Sequence, residues 1–118
     1  MTVVATSLAA IEALQAVQRG NLDVDLINPR TIKPLDEKII LDSVAKTGRL
    51  LVIDYDFPFC GFAAEICAMV AEKGFSSLKA PVQRMTFPEC SMPASGILEK
   101  EFYPSVEKIG ARIRELLR

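Results

Sequence analysis

The chain has 118 residues, half of them hydrophobic and a quarter charged, with 14 Lys and Arg against 15 Asp and Glu for a net charge of -1. This suffices for one domain with a sizeable core and no disulfide or metal staple, and the charge balance argues against a nucleic-acid binder, which carries a basic stripe. No apolar run approaches the roughly 20 residues of a membrane helix, no basic-then-apolar leader opens the chain, and the absence of His removes Ser-His-Asp and Cys-His catalysis together with the usual His-built zinc sites.

Val3-Val4-Ala5-Thr6 is short and β-prone. The sequence enters it without lead-in residues, so residues 1–118 are expected to form a single domain excised from a longer polypeptide. From Ser7 the period becomes helical, with Ala10, Leu14 and Val17 on one face, Thr6 or Ser7 at the start and Gly20 at the end. Leu22, Val24 and Leu26 alternate with Asp23 and Asp25, which predicts a strand broken by Asn28-Pro29-Arg30. Asp36 is a natural N-cap for a helix with Ile40, Leu41, Val44 and Ala45 inward and Gly48 as its C-terminal cap.

Leu50-Leu51-Val52-Ile53 is apolar on both faces, as a central parallel strand covered by helices on each side should be. After Asp54 comes an irregular loop, Tyr55 to Cys60, and Gly61 opens a helix that buries Ile66, Met69 and Val70 and ends near Gly74. Val82-Gln83-Arg84-Met85 reads as a fourth strand. Phe87 to Gly96, with Pro88 and Pro93, reads as loop. A last helix, with Pro104 in its first turn, buries Val106, Ile109, Ile113 and Leu116 or Leu117. The alternation predicts an α/β fold: a three-layer α/β/α sandwich around a mostly parallel sheet of four to five strands.

Such a sheet invites three chemistries that the residues do not support. No Gly-x-Gly-x-x-Gly follows the first strand, no Gly-x-x-x-x-Gly-Lys loop is present, and Ala5-Thr6-Ser7 stands where a receiver domain carries its acidic pair. Cys60, Cys67 and Cys90 are an odd number without a Cys-x-x-Cys pair, so they read as reduced thiols and point to the cytoplasm. No catalytic, cofactor-binding or metal-ligating residue is assigned.

Asn28-Pro29-Arg30-Thr31-Ile32-Lys33-Pro34-Leu35-Asp36, Lys46-Thr47-Gly48-Arg49-Leu50 and Gly61-Phe62-Ala63-Ala64-Glu65-Ile66 resemble the C-terminal domain of the transketolase superfamily. Ala80-Pro81-Val82 with Arg84, Met92-Pro93, Leu98-Glu99 and Tyr103-Pro104-Ser105-Val106 narrow the resemblance. They are similar to the beta subunit of the thiamine-dependent decarboxylating component of pyruvate, branched-chain 2-oxoacid and acetoin dehydrogenases. The chain departs from that pattern at Tyr55-Asp56, Cys60-Gly61, Ala63 and Glu89-Cys90-Ser91.

The resemblance implies a non-catalytic domain of an oxidoreductase, serving subunit assembly and docking of the dihydrolipoyl acyltransferase component. Thiamine diphosphate and magnesium would belong to the parent enzyme and be held by its other domains. The partners would be an alpha subunit, a second beta subunit and the acyltransferase, with no nucleic acid and no membrane. Self-association is expected when the domain is isolated. The alternatives are the tail of a transketolase or deoxyxylulose-phosphate synthase, or a free-standing protein-binding module.

Three residues are candidates for contact with an anion or a partner. Arg30 lies at a strand end, where its other reading is an ion pair with Asp54, Asp56 or Glu65. Lys33 is otherwise a solvated loop residue. Gly61 at a helix mouth presents free N–H groups or, alternatively, permits close helix–strand packing. Phe57, Phe59, Phe62 and Phe87 are candidates for an interface, since aromatics around Pro58 suit an exposed patch.

Overall fold

A computed structural model describes residues 1–118. Four strands, β1 (Thr2–Ala5), β2 (Asp25–Ile27), β3 (Leu50–Ile53) and β4 (Gln83–Met85), form one parallel sheet in the order β2-β1-β3-β4. Five helices, α1 (Ser7–Gly20), α2 (Glu37–Thr47), α3 (Phe62–Lys73), α4 (Gly96–Phe102) and α5 (Val106–Leu117), join them, with a single 3-10 turn at Phe75–Ser77. No helix is long and apolar enough to cross a membrane.

The period of two along the strands divides the core. Val3, Ala5, Leu51 and Ile53 point to one face, where Ala9, Ala10, Ala13 and Ala16 of α1 meet Ile109 and Ile113 of α5. Val4, Leu50 and Val52 point to the other, against Ile40 and Val44 of α2 and Ala63, Ile66 and Val70 of α3. β3 therefore feeds both cores, which is why its apolar run is unbroken. Both predicted caps of α2 form: Asp36 Oδ1 accepts the Ile39 N–H at 3.2 Å, and Gly48 takes φ +74°.

The Lys46-Thr47-Gly48-Arg49 segment ties the opposite end of the sheet together. The Thr2 hydroxyl lies 2.7 Å from both Ser43 Oγ and Thr47 Oγ1, Lys46 bonds Asp25 at 3.0 Å, and Arg49 donates to the Leu116 carbonyl at the end of α5. The Lys46 hydrogen bond holds the Asp25 carboxyl below its ordinary range.

Three expectations about the elements' bounds change, and Leu14 and Ala45, expected on inward faces, are exposed. β2 begins at Asp25, because Leu22 and Val24 pack against the α1–α5 core from the preceding connection without pairing. α4 has no counterpart among the expected elements; its Ile97 and Leu98 face solvent and only Phe102 is buried, so it carries no amphipathic period to detect. Pro104 precedes the last helix instead of entering its first turn. Ser105 is the cap, its hydroxyl accepting the Lys108 N–H at 3.3 Å, and the buried Pro104 gives its carbonyl to the Tyr55 hydroxyl at 2.6 Å.

One buried group on α1, the helix that packs on α5, is unsatisfied: Glu12 Oε2 has no hydrogen-bond partner. Burial, and then the charge of Glu107, push the Glu12 carboxyl above its ordinary 4.5. The folded state thus holds this proton more tightly than the unfolded chain. The associated stability is complete below 4.5 and is lost as pH rises through the folded-state value. Glu12→Gln should therefore stabilise the domain near neutral pH, by no more than about 0.5 kcal/mol once solvent screening of this partly exposed carboxyl is allowed for. The gain should shrink as pH falls towards 4.5. Urea melts across that range read the effect, and a gain that did not vary with pH would contradict the assignment.

Candidate functional site

At the carboxyl ends of the strands, connections from β1 and β3 run to opposite sides of the sheet, the place where open α/β folds meet ligands and partners. Here the structure builds a braced loop, residues 54–61. Asp54 closes β3 and is buried, and its Oδ2 accepts the Ala63 N–H at 2.8 Å. It thereby caps α3 from a distance, replacing the side chain that Gly61 lacks at the N-cap. Burial raises the Asp54 carboxyl above its ordinary 3.8; the Ala63 N–H opposes this and the charge of Asp56 adds to it.

The loop is held at several points. Asp56 Oδ1 accepts the Phe57 N–H at 2.7 Å, and its carbonyl accepts the Phe87 N–H at 2.9 Å. Arg84 donates to the Pro58 carbonyl at 2.6 Å. A Cβ on Gly61 would stand 2.2 Å from the Phe57 carbonyl oxygen, so the chain can close here only around glycine. Cys60 is held at φ +58°, a left-handed conformation that costs a residue with a Cβ of order 1–3 kcal/mol.

Below the loop, Tyr55 stacks on Phe87 at 5.6 Å, Phe87 lies 4.8 Å from Phe102, and Tyr103 meets Phe87 edge-on at 5.2 Å. On this support Phe59 is 81% exposed and Phe57 40% exposed.

The candidate residues separate into different places. Phe57 and Phe59 share the loop, and Phe57 touches Phe87 edge-on at 6.2 Å. Phe87 itself is a correction: it is buried at the centre of the aromatic cluster and is not a surface residue. Phe62 faces elsewhere, lining with Lys33, Leu35, Glu65 and Met69 a recess of about 260 Å³ against α2. Gly61 is buried, and the adjacent Ala63 N–H is already taken by a carboxylate, which would repel an incoming anion.

Arg30 is exposed beside Ser7, Leu8 and Ile11, and it makes no ion pair. The expected pairing with Asp54, Asp56 or Glu65 does not form. β1 lies between β2 and β3, so the ends of those two strands are about two strand spacings, roughly 10 Å, apart. Arg30→Ala should consequently change stability by less than about 0.5 kcal/mol. A denaturation midpoint lowered by more than that would mean that Arg30 is paired after all.

Nothing in the sequence spacing marks Asp54 as the cap of α3 or Tyr55 as the base of the aromatic cluster. Both depend on contacts across the fold, Asp54 to Ala63 and Tyr55 to Pro104. The arrangement offers no nucleophile with a base beside it, and the chain contains no His to supply one. It is a rigid platform that displays two aromatic side chains.

A family model described as transketolase, C-terminal domain, matches residues 1–109. The acetoin:2,6-dichlorophenolindophenol oxidoreductase subunit beta of Bacillus subtilis (strain 168) is 40% identical over 108 residues, 92% of this chain and 32% of that protein. The mitochondrial pyruvate dehydrogenase E1 component subunit beta-1 of Arabidopsis thaliana is 40% identical over 100 residues, 85% of this chain and 28% of that protein. The chain thus spans about a third of the length of the curated relatives it matches. A solved structure titled as a split gene transketolase, inactive beta4 tetramer, superposes with a TM-score of 0.78 at 16% identity, covering 98% of this chain and 37% of that one. That likeness is one of fold.

Proposed function

The chain belongs to the transketolase C-terminal domain family, and from that premise we propose that it is the non-catalytic C-terminal domain of a 2-oxoacid dehydrogenase beta subunit. Its work is to assemble the alpha subunit and a second beta subunit and to help dock the dihydrolipoyl acyltransferase component. The similarity to acetoin and pyruvate dehydrogenase beta subunits supports the assignment. The observation that carries the assembly role is Phe59, 81% exposed on a loop clamped by Asp56, Arg84 and the close approach of Gly61. A rigid loop presents an aromatic anchor without paying to order it on binding, and aromatic anchors dominate interface energies.

Thiamine diphosphate and magnesium belong, in this reading, to other domains of the parent enzyme. The residues here do not fit that cofactor. The glycine-led helix start at the carboxyl end of the sheet is filled by the Asp54 carboxylate, and no three His, Cys, Asp or Glu side chains gather to hold a metal. Without its partners the chain would self-associate through the same exposed aromatics. The free cysteines suit a cytoplasmic setting.

The test is a graft. Residues 1–118 replace the matching third of the Bacillus subtilis subunit, which is co-expressed with that enzyme's alpha subunit. The expected result is an assembled complex that oxidises acetoin with dichlorophenolindophenol. Phe59→Asp in the graft should lower the yield of complex several-fold without changing the melting of the isolated domain. A graft that folds yet elutes apart from the alpha subunit would overturn the proposal.

A further inference from the structure

We draw no further inference here: the strongest candidate, the uncharged outer face of α1 where Leu8, Ile11 and Leu14 stand about half-exposed beside the Arg30 recess, carries nothing, because no observation in the structure shows what covers it.

Discussion

Replacing Gly61 with Ala should destabilise the domain by about 2–3 kcal/mol, lowering its melting temperature by on the order of 10 °C. The added methyl would lie 2.2 Å from the Phe57 carbonyl oxygen, well inside contact distance, and the obstructing atom belongs to backbone, not to a side chain that can swing away. Relief requires moving either the Phe57–Pro58 peptide or the start of α3. The first breaks the Arg84 contact to Pro58; the second pulls the Ala63 N–H from Asp54. Thermal melts followed by circular dichroism measure the loss. A melting temperature within a degree or so of wild type would show that the loop yields freely, and its role as a rigid platform would fall with that result.

Asp54→Ala should cost about 1–3 kcal/mol, because it leaves the buried Ala63 N–H without its acceptor and opens space beneath α3. Asp54→Asn should behave differently. The amide oxygen can still accept that N–H, while the charge that burial penalises is gone. The sign follows from the raised carboxyl. The folded state favours the protonated form, so the stability it brings is complete below 3.8 and lost as pH rises through the folded-state value. Measured against Asp54→Asn, the wild type should therefore lose ground between mildly acid and neutral pH and then level off. A wild type that gained on the Asn variant over that range would show the carboxylate to be favoured by the fold and would reverse the assignment of burial as its dominant influence.

Where a signal is local, the sequence carries it. The helix caps at Asp36 and Gly48 each rest on a few neighbouring residues, and the uninterrupted apolar run of β3 can be satisfied only between two layers of helices. The alternation from Leu22 to Leu26 finds β2 but places its start too early, since a period of two describes any segment with one wet side, paired or not. Arg30 misleads for another reason: which strand ends are neighbours depends on strand order, and no residue near Arg30 encodes that β1 intervenes. Phe87 carries the same lesson for the interface. At the head of a loop with two prolines it reads as exposed, yet Tyr55 and the adjacent pair Phe102 and Tyr103 converge on it from two distant parts of the chain. The exposed half of the candidate loop, Phe57 and Phe59, was legible because Pro58 and Gly61 confine the backbone locally.

The central place of β1 has a consequence for biosynthesis. Val3 pairs with Leu26 on one side and Leu51 on the other, so the first strand of this domain is completed by a partner made nearly fifty residues later. Until Ile53 has cleared the ribosome, Thr2 to Ala5 present one open hydrogen-bonding edge and apolar side chains on both faces. Non-local parallel pairing of this kind forms slowly and leaves nascent chains prone to misassociation. The burden on a ribosome-bound chaperone should fall on this first half of the chain, and synonymous codons that slow translation before β3 should lower the soluble yield more than the same codons placed after it.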